Sequence, residues 1–139
     1  MSVDIKKYNE FVRGIELEDL YIDNFTFKRM KLELDSLDTD VPVSIVFKIT
    51  KNSYETINDR FEISSSVIFR IKRDDKMLFE MKCRVISKYR YKIELNDDLF
   101  DSFSKRNLPI TLFPFLRELI ANSMYRAGLP PILIPFLKN

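Results

Sequence analysis

The sequence predicts an α+β fold: a four-stranded antiparallel sheet with a long C-terminal helix packed across or beside it. Two stretches predict the sheet. Phe61, Ile63, Ser65, Val67, Phe69 and Ile71 alternate with polar residues, and Met77, Phe79, Met81, Cys83 and Val85 do the same. Arg73-Asp74-Asp75-Lys76 between them reads as a hairpin turn. One stretch predicts the helix: Leu112, Leu116, Leu119, Ile120 and Met124 recur at three- and four-residue steps opposite a polar stripe of Glu118, Asn122 and Arg126. With 139 residues, 45% of them hydrophobic, the chain has the length and apolar content of one packed domain, read here as spanning 1–139.

The elements follow in order. Residues 2–13 read as a short amphipathic helix capped by Ser2, with Ile5, Tyr8, Phe11 and Val12 on one face and Gly14 as its stop. So short a helix is stable only when docked. Ile15 to Asp23 reads as the first strand; its alternation slips by one residue near Asp19, the mark of a bulge. Residues 24–42 are less regular, and carry Phe25, Phe27, Met30, Leu32, Leu34 and Leu37 among charged residues. They read either as a strand plus a loop or as a long crossover presenting exposed apolar side chains, and long loops are often functional. Val43, Ile45, Phe47 and Ile49 mark the second strand, and 51–60 read as a polar loop. After the hairpin strands, Tyr89, Tyr91, Ile93 and Leu95 extend the alternation, while Lys72, Glu80, Lys82, Arg84, Arg90 and Lys92 make the opposite face wet. Leu99, Phe100 and Phe103 read as one helical turn capped by an Asp. The long helix is placed at 112–127, with Pro114 in its first turn and Gly128 as its C-cap. Residues 129–137 carry three prolines among apolar residues and read as an extended strap.

Composition narrows the function. There is no His, the commonest general base and metal ligand. The single Cys83 sits on an apolar strand face with no base to activate it, which predicts a structural thiol. Asp97, Asp98 and Asp101 lack the spacing of a calcium loop. Two glycines are too few for a phosphate-cradling loop. No enzyme, metal or cofactor is expected. A net charge of +2 is weak for a nucleic-acid binder. The interleaved Lys88-Tyr89-Arg90-Tyr91-Lys92 puts rings and charges on opposite faces of a strand, so a solvated face is expected rather than a nucleic-acid site. The first residues lack the apolar core of a signal peptide, and no run of about 18 apolar residues is present, which predicts a cytoplasmic protein with no direct membrane insertion. What remains is surplus apolar surface, because one sheet and one helix cannot cover the 24–42 segment and the strap as well. Such a surplus points to a subunit interface or a binding groove.

At the helix, Leu112-Phe113-Pro114-Phe115-Leu116-Arg117-Glu118, followed by Ile120, Arg126, Gly128 and Pro130, resembles the hallmark of the SecB protein-export chaperones. The likeness extends over roughly residues 11–136, with Ile15 to Asp23, 45–50, 61–72 and 77–86 resembling the family's four strands. It implies an ATP-independent holdase that takes extended, unfolded or precursor polypeptides into apolar grooves. It also implies a homotetramer, a dimer of dimers with the long helices at its centre, which assigns Leu116, Ile120 and Met124 to the interface between copies. Carried over by position, the client groove draws on Phe25, Phe27 and Met30 and on Leu112, Phe113 and Phe115.

The family's sheet presents acids to the SecA motor, and Asp19 and Asp23 fall where those of the first strand are expected. Lys82 stands where an acid is typical, and the pI near 8.6 is unlike the acidic members. These departures count against SecA docking. They leave open a relative that guards a single partner, such as the antitoxin of a toxin–antitoxin pair.

Overall fold

The computed structural model describes residues 4–30 and 43–129. The Ser2 cap, most of the 24–42 segment and nearly all of the 129–137 strap therefore lie outside the described residues. The elements are α1 (Ile5–Arg13), β1 (Glu16–Arg29), β2 (Ser44–Ile57), β3 (Arg60–Arg73), β4 (Lys76–Arg90) and α2 (Asp97–Arg126). The strands form one antiparallel sheet in the order β1-β4-β3-β2, and α2 covers one of its faces.

The centre of the sheet follows the alternation read from the sequence. Phe61, Ile63, Val67, Phe69 and Ile71 of β3 and Phe79, Met81, Cys83, Val85 and Tyr89 of β4 are buried on the helix side. Asp74 and Asp75 join these strands with φ of 47° and 62°. Two positive φ values in a two-residue loop are the turn whose twist matches the strands, and Asp tolerates that region better than most residues.

The edge strands depend on bulges. In β1 the register shifts between Leu17 and Asp19 and again between Ile22 and Asn24. Leu17, Leu20, Ile22, Phe25 and Phe27 sit opposite Tyr89, Ser87, Val85, Cys83 and Met81. All five therefore face the helix, although strict alternation would put Leu20 and Ile22 on the other side. The slip at Asp19 is the expected one. The second bulge carries the strand through Arg29, so residues 24–29 are strand and not crossover. In β2 a shift between Ile49 and Lys51 lets pairing continue to Ile57, so the expected polar loop at 51–60 shrinks to the turn at Asn58 (φ 59°) and Asp59.

The helices also depart from expectation. Asp4 caps α1 by accepting from the Lys6 N–H at 3.0 Å. Tyr8 and Phe11 are buried as expected, while Ile5 is exposed. Phe11 stacks on Phe61 with centroids 5.9 Å apart and meets the edge of Phe103 at 6.0 Å. The Tyr8 hydroxyl donates to Asn107 Oδ1, tying α1 to α2. α2 starts 15 residues before the expected Leu112, capped by Asn96, whose side chain accepts from the Leu99 N–H at 2.8 Å. Pro109 and Pro114 both lie inside it. Each removes one i→i−4 bond at a cost of about 3 kcal/mol in an isolated helix. Leu99, Phe103, Leu108, Leu112, Leu116, Ile120 and Met124, all buried, offset that cost by packing on the sheet on both sides of the prolines.

Candidate functional site

A cleft of ≈ 160 Å³ opens between β1 and α2, lined by Ile22, Phe115, Glu118, Leu119 and Asn122. Its floor continues along β1. Phe25 and Phe27 lie on the same strand face, 5.8 Å apart between ring centroids, and stay 37% and 42% exposed. Phe27 leans on Phe79 at 6.0 Å, so its inner edge joins the core while its outer edge meets solvent. Beyond them, Arg29 reaches across to donate to the Ala127 carbonyl at the end of α2. That contact satisfies a terminal helix carbonyl with a cation, where the helix dipole favours one. Gly128 follows with φ 73°, and a Cβ there would stand 2.9 Å from the Arg29 guanidinium. The chain reverses at a position that suits glycine.

From Ile22 to Arg29 this face runs about 20 Å at the usual rise per residue. It offers large apolar surfaces, with Glu118 and Asn122 at the rim. Such a surface holds an extended apolar segment by area and shape and reads little of its sequence. Burial pushes the Cys83 thiol up to about 11, and among the described residues no three His, Cys, Asp or Glu come together as a metal site. No helix among the described residues is long and apolar enough to cross a membrane.

The structure divides the residues expected at the groove. Phe25 and Phe27 come together on β1, and Phe115 of α2 lines the cleft beside Ile22 of that strand. Met30 sits at the end of that strand, half-buried, its N–H bonded to the Leu78 carbonyl at 3.0 Å. Leu112 is fully buried on the sheet-facing side of α2. Phe113 points to the opposite edge of the sheet and meets Phe47 of β2 edge-on at 5.8 Å. Ile22 and Leu119 line the cleft without having been singled out. Leu119 falls one turn after Phe115 in the helix stripe read from the sequence, whereas Ile22 lies beside the second shift of β1, which the alternation does not show.

Leu116, Ile120 and Met124, expected between copies, are 0%, 0% and 2% exposed. They pack against this chain's own sheet, which corrects that assignment: a helix stripe buried at home has no surface to offer a partner. The outward side of α2 instead carries Ile110 at 66% and Tyr125 at 82% exposure. On an ideal helix these two lie within about 60° of each other.

Asp19 and Asp23 lie on the exposed β1 edge, where each is already engaged. Asp23 accepts two bonds from Arg84, at 2.8 and 2.7 Å, and the guanidinium holds its carboxyl below the usual range. Asp19 accepts from the Leu20 N–H at 2.9 Å and pairs across the ladder with Lys88. Nearby Glu18 bridges Arg60 at 2.5 Å and Arg90 at 3.4 Å.

Known proteins resemble this arrangement. The sequence model of a family described as SecB, preprotein translocase subunit SecB, matches residues 9–137. A protein-export protein SecB of Nitrobacter hamburgensis is 27% identical over 93 residues, which cover 67% of this chain and 58% of that protein. This chain thus spans little more than half the length of that relative. A second protein-export protein SecB, from Herminiimonas arsenicoxydans, is 22% identical over 117 residues, covering 84% of this chain and 70% of that one. Among solved structures, a SecB-like chaperone of Mycobacterium tuberculosis in complex with a peptide from an antitoxin superposes with a TM-score of 0.77. The overlay covers 93% of this chain and 94% of that one at 11% identity, a likeness of fold.

Proposed function

This chain belongs to the SecB family, and on that footing we propose that it is an ATP-independent chaperone of protein export that holds extended, non-native polypeptides in the β1–α2 cleft. The observation that carries the reading is the pair Phe25 and Phe27. Each is about 40% exposed on the face of the sheet whose centre forms the core. Contiguous apolar surface left open beside a cleft is the surface an unfolded segment would cover. The reading places the protein in the cytoplasm, where precursors are met before export. It includes a homotetramer, a dimer of dimers, assembled through the outward side of α2 at Ile110 and Tyr125. Ile110 and Tyr125 are large apolar side chains left exposed among polar ones, and they are surface that a second copy would cover.

The test is a native mass spectrum taken with and without one equivalent of an unfolded client. The chain weighs 16.6 kDa, so a tetramer appears at 66.4 kDa. A tetramer that gains the client's mass is the expected result. A monomer that ignores the client overturns the reading.

A second reading is a chaperone dedicated to one partner, such as an antitoxin. The engagement of Asp19 and Asp23 within the chain favours it, because acids tied to internal partners are poor docking points for the SecA motor. The structural neighbour with an antitoxin peptide fits it too. Affinity for one partner segment far above that for unrelated unfolded chains would support it; equal affinities would count against it.

A further inference from the structure

The face of the sheet turned away from α2 is split by charge, and we propose that its cationic half docks an acidic polypeptide segment of a partner protein. This inference is independent of the cleft, which lies on the opposite face.

The register defines the patch. Thr26, Lys82, Ile68 and Lys48 form one row across β1, β4, β3 and β2; Asn24, Arg84, Ser66 and Lys51 form the next. Toward the hairpin follow Lys28, Glu80 and Arg70, then Lys72. The acids of this half, Asp23 and Glu80, are taken up by Arg84, Arg70 and Lys82. Lys48, Lys51 and Lys72 have no ion pair among the described residues. Neighbouring strands lie about 4.8 Å apart, so Lys82 and Lys48, or Arg84 and Lys51, stand about 10 Å apart across β3, close to the screening length of about 8 Å at physiological salt, and their fields add in part. Between the rows lies a shallow depression of ≈ 310 Å³, bordered by Asn24, Thr50, Ser66, Ile68, Lys82 and Arg84. It is large enough to seat side chains.

The charge selects the class of partner. The other half of the same face carries Glu16, Glu18, Asp19, Glu55 and Glu62 against Arg60, Lys88 and Arg90, a net negative charge that offers a long polyanion laid along the strands no further attraction. Among the described residues no aromatic ring lies in the cationic rows; Tyr21, opposite Ile86 in the next row, is already covered by Lys88 at 5.3 Å, so no free ring is at hand to stack a base, as single-stranded nucleic acid requires. A short acidic segment meets the cationic half alone. Its backbone lies across flat strands, and its carboxylates reach lysines that have no ion pair among the described residues.

Fluorescence anisotropy of the full chain with a short labelled peptide of alternating glutamate and serine tests this. The peptide binds at low salt and weakens as salt rises, while the matching lysine peptide does not bind. Lys48→Glu combined with Lys51→Glu lowers its affinity by about tenfold or more, since exposed pairs each contribute modestly and both signs reverse. Lys82→Gln, on a neighbouring strand, lowers it less. Both variants melt as the parent does and still capture an unfolded neutral client. The proposal is overturned if the parent does not bind the glutamate peptide, if the variants bind it unchanged, if oligothymidylate of equal charge binds more tightly, or if client capture falls in parallel.

Discussion

The two edge strands carry similar apolar residues toward the same side of the sheet, yet α2 treats them differently. On β2, Ile45, Phe47, Ile49 and Tyr54 are half-buried, and α2 is fastened there. The Tyr54 hydroxyl donates to Asp97 at 2.7 Å, its ring lies 4.5 Å from Phe100, and Phe47 meets Phe113. On β1, α2 is held at its far end by Arg29 and leaves Phe25 and Phe27 open. One helix is too narrow to cover four strands, and it crosses from the β2 side toward the end of β1. The uncovered edge is where the fold leaves apolar area unspent. Side-chain type does not separate core from site here. Phe69 and Phe27 face the same way and flank Phe79 and Met81, and only the position of the helix makes one structural and the other available.

The largest effect should come from breaking the covered region. Ile120→Asp places a carboxylate without a partner where α2 meets the sheet, at an expected cost of about 4 kcal/mol or more. The variant should lose its cooperative thermal melt by circular dichroism. A folded variant of lower mass would show instead that Ile120 faces a second copy, and the contrast between the covered and open regions would fall. A smaller effect on stability is expected at the open edge. Phe25→Ser with Phe27→Ser removes rings that are only partly buried, costing about 1 kcal/mol each by area. Affinity for an unfolded client should fall about tenfold, as for residues at the centre of a binding surface. Global unfolding of this variant would mean that the two rings belong to the core.

The comparison also separates what the sequence makes legible from what it hides. β3, β4 and their hairpin are legible because a strand with one fully buried face repeats every second residue. The bulge at Asp19 is legible as a slip. Phe25 and Phe27 are recognisable as exposed apolar residues but not as strand, because a second bulge five residues on erases the alternation. The reach of β2 past Thr50 is hidden by polar residues, since an edge strand needs little apolar content to pair. The early start of α2 is hidden by Pro109 and Pro114, which argue against a helix interior until tertiary packing outweighs them. The stripe of Leu116, Ile120 and Met124 is plain, but a stripe announces only that something covers it. That the cover is this chain's own sheet is a fact of the fold.

The smallest effect is at the fastening of α2 to β2. Hydrogen bonding to Asp97, reinforced by burial, pushes the Tyr54 phenol up to about 12. The folded state therefore holds this proton more tightly than the unfolded chain, whose tyrosine titrates near pH 10. The stability it contributes is fully present below about pH 10 and is lost as pH rises toward 12. Tyr54→Phe should cost about 0.5–1.5 kcal/mol at neutral pH, the usual value of one hydrogen bond, and should flatten the stability profile over that alkaline interval. Urea titrations of parent and variant across that interval measure the difference. Parallel profiles would mean that the Tyr54–Asp97 bond does not hold α2 at the β2 edge, and the cover over that edge would then rest on Phe47, Phe100 and Phe113 alone.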